Sequence, residues 1–581
     1  MAAPPLSAPF TVLYGPPPDE RAPASAAEPD GVLADAIAVM LAELGVEVAL
    51  GISGGAVAPL LDALARSPLR LYHCRHEGGA AFAAVEACFA SGRPTAVFAT
   101  SGPGILNALT GLYAARWDGA RVILVSGATA TPQRGRWAFQ ETSSYTMATG
   151  LIGSGALFHY GLVVESPSEL PEIGRRLAAG LARPEGFVAH LCVPTALQKA
   201  PVARRGHFAL SAHSKPTAAP KVIERCVSLL CEGPMVLWVG HGARGAAAEI
   251  RALAERTGAP VMSTPRGKGI FPEDHPQYLG VTGFGGHESV VRYLRARRPW
   301  RTLVLGSRLG EFTSFWSPDL VPERGFVHVD IDPTVPGVSY PQVETFAVHS
   351  DVRAFVASFL SHLPLYPRQA PVPADCRPAW GAPLSPRPQG AVRPEFLLQE
   401  IQRIIVEGSD APVLTEAGNS FAWGTHALRF RAPGRYRVST GFGSMGHAVA
   451  GVVGAALGRR GKAVTLAGDG AMLMNSEVST AVSHRVPAAW VVLNDGRYGM
   501  VDQGMEQLGY QSKDLNIPEV DFVAWARAQG ADGVRVQSEA EVAGALQAAL
   551  CATGPFVVDV IIDRGSLAPI GTRVQNLSQQ C

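Results

Sequence analysis

Two short segments late in the chain could together hold a metal ion and a phosphorylated ligand. The run AVTLA ends in Gly468-Asp469-Gly470, and the run AAWVVL ends in Asn494-Asp495-Gly496. If both runs are parallel strands, their carboxyl ends share one sheet edge, where open α/β sheets bind ligands. Asp469 and Asp495 then offer two hard oxygen donors side by side. Mg²⁺ takes oxygen ligands, keeps several waters and is often completed by phosphate oxygens. Gly468 and Gly470 let the backbone approach a phosphate. The stretch after Ala471 (MNSEVSTAVSHRV) reads as a helix whose first N–H groups and positive dipole end suit an anion. Taken singly, each segment is a turn, since Gly, Asn and Asp are ordinary turn residues. Their pairing at two strand ends carries the metal reading.

A second candidate lies far upstream. Glu77 closes the strand-like LYHCRHE and opens a helix of small apolar residues. By itself it reads as a helix-start acid that complements the dipole. A carboxyl buried among apolar groups has its pKa raised and keeps a proton available. Glu77 stands in Arg75-His76-Glu77-Gly78-Gly79-Ala80. Thr100-Ser101-Gly102-Pro103-Gly104 and Phe139-Gln140-Glu141-Thr142 follow in order.

The elements that must position these residues alternate strand and helix in three blocks, the pattern of parallel α/β domains. The fold class is therefore α/β, with three doubly wound parallel sheets. Residues 1–29 form an Ala/Pro-rich arm without the basic start and apolar core of a secretory signal. Residues 30–205 form the first domain, and 215–365 the central one. A Pro-rich linker, 366–394, leads to the last domain, 395–581.

In this order the motifs resemble the thiamine-diphosphate-dependent enzymes, and among them the acetohydroxyacid (acetolactate) synthase-like group. The unit from Gly468 to Asp495 resembles that superfamily's fingerprint, which opens with Gly-Asp-Gly and closes with Asn-Asn; here Asp495 stands in place of Asn. The resemblance implies pyrimidine-binding, central and diphosphate-binding domains, with thiamine diphosphate and Mg²⁺ as cofactors. It implies Glu77 as the acid against the cofactor's pyrimidine ring and Gln140 as an active-site glutamine. Gly54, Gly418, Asn419, Ser420, Gly443, Ser444, Met445, Gly468, Asp469, Gly470, Ala471, Asp495 and Met500 would contact the cofactor. Met445 would prop it in a bent shape, as suits a Met filling an irregular apolar gap. Asp469, Asp495 and Arg497 would hold the metal, and Ser53, Phe139 and Gly504 the substrate. The implied reaction is decarboxylation of a 2-oxo acid and transfer of the acyl unit to a carbonyl acceptor. Because the pyrimidine and diphosphate domains of one chain do not easily reach one cofactor, the resemblance also implies a homodimer or homotetramer.

Several positions depart from the group's pattern. Ser53 replaces a Pro in the first Gly-rich turn. Gly504 replaces a Trp one helical turn after the Met that corresponds to Met500, and Thr195 replaces a Lys. The changes at Gly504 and Thr195 point to a roomier acceptor pocket and a bulkier or less acidic acceptor. For flavin the residues leave both readings open: Arg308 and the Arg266–Gly269 segment serve either FAD phosphates or the fold alone. A simple 2-oxo acid decarboxylase is the nearest alternative. A more distant one is an NAD-linked oxidoreductase, because Gly240-His241-Gly242-Ala243-Arg244-Gly245 matches G-x-G-x-x-G after a strand. The next strand there ends in Thr264, without the acid expected for a ribose hydroxyl. A non-catalytic binding protein is disfavoured by the joint presence of Glu77, Asp469 and Asp495.

Composition sets outer bounds. With 50 Lys+Arg against 49 Asp+Glu, the chain gives no electrostatic reason to expect nucleic acid or acidic membrane as a partner. No apolar run reaches the ~18 residues of a membrane span. Eight Cys without CxxC pairs read as reduced core thiols, which gives a cytoplasmic expectation.

Overall fold

The structure is a computed structural model that describes residues 31–143, 145–202, 215–366, 368–474, 476–511 and 514–580. The expected arm 1–29 lies outside them. Three six-stranded sheets carry the chain, and every strand pairing within them is parallel. Their central strands, such as Met235–Val239 and Ala488–Asn494, are buried along their whole length. That follows from unbroken apolar runs with helices on both faces.

Numbered within its own domain, the first sheet has the order 2-1-3-4-6-5, and so has the third. The central sheet has the order 3-2-1-4-5-6, the arrangement of dinucleotide-binding folds. Each sheet is bounded by edge strands. Tyr160–Val163 and Thr345–His349 are examples, each only partly buried. The Pro-rich stretch contains one short 3-10 turn, Ala374–Cys376, and ends with Val392 paired to Ile562 ahead of the helix Pro394–Ile401.

The first and third domains share one continuous core. Its seam is the helix Glu77–Ser91 packed on the helix His447–Arg459. Small residues allow the close approach: a Cβ at Gly454 or Gly458 would run into the backbone carbonyls of Ala83 and Ala87. Both helices are therefore buried nearly all round, which explains why the sequence EGGAAFAAVEACFAS has almost no polar face.

Candidate active site

The strand order of the third sheet reverses between Val413–Thr415 and Ala463–Gly468. Ligands bind at such a switch point, outside the carboxyl ends of the strands. A cavity of 620 Å³ opens there. Of the residues singled out in the sequence, Gly418, Asn419, Ser420, Gly443, Met445, Gly468, Asp469, Gly470, Ala471, Asp495, Arg497 and Met500 line it. Ser444 sits on the same loop but not on the cavity wall; its hydroxyl donates to the Met445 carbonyl.

Asp469 begins a short helix, Asp469–Met472, and the helix expected over MNSEVSTAVSHRV forms over Glu477–Ser483. Asp469 is buried, and its carboxylate accepts the Gly470 N–H at 2.7 Å and the Gly496 N–H at 2.6 Å. Burial, followed by the neighbouring Asp495 charge, pushes its pKa up to about 6. Burial raises the Asp495 carboxyl too, although Arg497 opposes the shift with a hydrogen bond and its charge. The Arg497 guanidinium lies 3.0 Å from Asp495 and 2.6 Å from Asp502. It has no acceptor atoms, so only the Arg497 carbonyl could ligate a metal. The added negative charge at Asp495 is thus balanced within the loop that carries it.

The opposite wall is the start of the helix Asn419–Ala427. Gly418 precedes it with φ +115°, and nothing occupies the space where its side chain would be. Gly443 and Gly468 face open space in the same way. Asn419 Oδ1 and Ser439 Oγ are buried on the cavity wall without hydrogen-bond partners. Unsatisfied buried polar groups are costly; the Ser439 hydroxyl could donate to a phosphate oxygen, whereas the Asn419 amide oxygen, an acceptor, suits a cation or a ligand N–H. A divalent cation would likewise relieve the repulsion between Asp469 and Asp495. The residues present therefore fit a diphosphate and its metal.

One carboxylate behind this wall escaped the sequence reading. Glu416, buried just beyond the strand Val413–Thr415, accepts the N–H groups of Ala448 and Val449 at 2.8 and 3.0 Å. It thereby fixes the first turn after the Gly443–Met445 loop. Its signal was an acid next to Gly418-Asn419 at a strand end.

Glu77 is elsewhere. It is buried at the first position of the helix Glu77–Ser91, and Asn107 donates to its Oε2 at 3.0 Å. It does not line the cavity, and neither do Ser53, Gly54, Phe139, Gln140 or Gly504. The first-domain residues gather instead at that sheet's own switch point. A side chain on Gly54 would meet Thr100, and Gly102 lies against Gln140, itself at φ +53°. Phe139 is exposed, as are Trp137 and Tyr145 nearby. At Gly504 a side chain would meet nothing.

The central domain holds a second cavity, of 380 Å³, where its strand order reverses between Met235–Val239 and Arg301–Leu305. His241, Arg244, Arg266, Arg308, Asp330 and Asp332 line it. The Gly240–Gly245 segment forms a 3-10 helix, His241–Ala246, that runs directly into the α-helix Ala247–Thr257. The acids at the strand end come from Phe326–Asp330 and its neighbour Asp332, not from the strand Val261–Ser263 that precedes Thr264. The two cavities share Trp117, Gly310, Phe312, Thr440 and Gly441 in their walls.

This pairing of glycine-opened, carboxylate-bearing switch points agrees with comparisons to known proteins. Residues 32–147 match the N-terminal TPP binding domain of thiamine pyrophosphate enzymes, residues 232–359 their central domain, and residues 416–560 their C-terminal TPP binding domain. The chain belongs to the thiamine pyrophosphate enzymes, in the group of the acetolactate synthases. It is 32% identical to an acetolactate synthase of Mycobacterium avium, over 90% of this chain and 86% of that one. With an acetolactate synthase large subunit of Mycobacterium tuberculosis it shares 31% over 91% of this chain and 88% of that one. With the isozyme 1 large subunit of Escherichia coli the identity is 26%, over 91% and 94%. Among the described residues no helix is long and apolar enough to cross a membrane.

Proposed function

We propose that this protein is a thiamine-diphosphate- and Mg²⁺-dependent carboligase. It decarboxylates a 2-oxo acid and transfers the acyl unit to a carbonyl acceptor, as in acetolactate synthesis. The observation that carries the proposal is the meeting of Asp469 and Asp495 in one cavity with the open cradle at Gly418–Ser420. When bound, the cofactor supplies a nucleophilic carbon that adds to the oxo acid, allows CO₂ to leave and makes the remaining acyl unit nucleophilic. Asp469 and Asp495 hold the metal, and the N–H groups at the start of the helix Asn419–Ala427 receive the diphosphate. Met445 and Met500, both on the cavity wall, would flank the cofactor's rings. Glu77 holds the proton exchanged with the pyrimidine, with Asn107 fixing one carboxyl oxygen and leaving the other free.

The acting unit is a dimer of this chain, or a tetramer built from such dimers. Glu77 lies away from its own chain's cavity, so a second copy must bring its first domain there. Exposed apolar side chains support this. Trp137, Phe139 and Tyr145, at 97, 90 and 77% exposure, form one set, and Leu473, Met474 and Val501 another beside the metal segments. Clustered exposed apolar residues mark interaction surfaces. Five buried free cysteines among the described residues fit a reducing, cytoplasmic setting.

A flavin or related nucleotide in the central cavity is a second reading. Its support is the basic lining with acids at a strand end, and the buried, partnerless His241 Nε2 and Arg266 Nε. Incubation with thiamine diphosphate, Mg²⁺ and a panel of 2-oxo acids, with and without aldehydes, tests the main proposal by mass analysis of products. Mixed hydroxyketone or acetolactate-type products support it. Aldehyde alone makes the protein a simple decarboxylase, and no CO₂ release from any oxo acid overturns the proposal.

A further inference from the structure

The turn that presents Glu77 is held by a residue from the far end of the chain. Glu477 is buried at the first position of the helix Glu477–Ser483. Its Oε1 accepts the Arg75 N–H at 3.2 Å and the His76 N–H at 3.1 Å. Its Oε2 accepts the Thr480 hydroxyl and lies 3.2 Å from the Arg75 N–H. The Arg75 side chain then runs along the same helix to the hydroxyls of Ser479 and Ser483, at 3.1 and 2.7 Å. Gly79 lies so close to the Glu477 carboxylate that any side chain there would collide with it.

Two consecutive N–H groups ahead of a helix have no intrahelical partner. A buried carboxylate that receives both fixes the path of the chain into that helix. Here the next residue is Glu77. Its backbone is therefore set by Glu477, and one carboxyl oxygen by Asn107.

We propose that Glu477 is a positioning residue for Glu77: it clamps the Arg75–His76 turn so that the Glu77 carboxyl stands at the correct place and angle to exchange a proton with the cofactor. This rests on the thiamine-diphosphate reading above. A misplacement of about 1 Å costs ~10²-fold in rate, so the clamp acts on chemistry more than on cofactor binding. Because Glu477 follows Asp469 by a few residues, one segment carries both the metal acid and the clamp.

Glu477→Ala tests the proposal, with Glu477→Gln as the rescue. A glutamine can still receive both N–H groups on its oxygen and donate its amide to Thr480. Three quantities are read: thiamine diphosphate affinity by calorimetry, exchange of the cofactor's thiazolium C2 proton by NMR, and amide hydrogen exchange across 74–80 in the cofactor-free protein. Glu477→Ala should bind the cofactor within about twofold of wild type, lose amide protection at Arg75 and His76, and slow C2 exchange by ~10²-fold. Glu477→Gln should restore most of the exchange rate. A wild-type C2 exchange rate in folded Glu477→Ala overturns the proposal. If that variant does not fold, Thr480→Val replaces it. Slowed exchange at an unchanged melting temperature then supports the clamp, and unchanged exchange rejects it. A wild-type protein that neither binds thiamine diphosphate nor exchanges its C2 proton would instead refute the functional reading.

Discussion

Arg437 of the third domain grips Glu86 of the first in a bidentate pair, with contacts of 2.9 and 2.8 Å, and both side chains are buried. His447 adds a third bond to the same carboxylate at 2.9 Å. Burial alone would raise the Glu86 pKa; the Arg437 charge and the bonds from His447 and Arg437 outweigh it and hold the carboxyl well below its usual range. Burial lowers His447, but the bond to Glu86 and its charge leave the imidazole raised. Removing one partner of a buried pair costs ~3–5 kcal/mol, because the other charge is left uncompensated. Arg437→Met should lose about that much in denaturant unfolding, and Glu86→Gln with Arg437→Met together should lose less than the sum of the two. An additive double mutant would show the pair to be uncoupled.

The same pair has a pH signature. A depressed acid contributes stability that is present above its unfolded pKa of ~4.3 and is lost as pH falls below it. A raised histidine contributes stability that is complete below its unfolded pKa of ~6.5 and fades as pH rises through the folded value. Melting temperature against pH should therefore fall on the acid side through Glu86 and on the alkaline side through His447. In His447→Phe the alkaline decline should shrink while the acid one persists.

Asp469 behaves in the opposite sense. Its pKa of about 6 in the metal-free protein exceeds the ordinary ~3.9, so the folded state binds the extra proton and loses stability as pH rises between the two values. Metal binding needs the deprotonated form. Calorimetry should show cofactor and Mg²⁺ affinity dropping as pH falls through about 6. Asp469→Ala should abolish binding at every pH, and unchanged affinity in that variant would move the metal site elsewhere.

For Glu77 the expected outcome separates chemistry from binding. Glu77→Gln keeps the bond geometry to Asn107 with an amide but cannot exchange the proton. Thiamine diphosphate affinity should stay near wild type and turnover should fall by ~10²-fold or more. Wild-type turnover would remove Glu77 from the mechanism.

Gly504 tests the acceptor. Nothing fills the space beside it in the single chain, so Gly504→Trp can be accommodated. The variant should weaken use of large acceptors while sparing decarboxylation of a small donor, since a filled pocket withdraws ~25 cal/mol of burial per Å² from the larger group. Equal loss for small and large acceptors would place Gly504 outside acceptor selection.

What the sequence alone determined was local. Apolar runs that end in Gly-Asp-Gly or Asn-Asp-Gly placed Asp469 and Asp495 at strand ends. These features depend on residues a few positions apart, so the chain's local preferences suffice to reveal them. Edge strands such as Thr345–His349 stayed hidden because they are only partly buried. Tertiary structure alone decided which residues share a cavity and which hold one another in place. Glu477 meets Arg75 across 402 positions, and Arg437 meets Glu86 across 351. Neither contact leaves a local pattern in the sequence. Glycines at 454 and 458 let the helix His447–Arg459 press against the backbone of Glu77–Ser91. That close packing sets the distance between two domains, and with it which charged groups must pair when water is excluded.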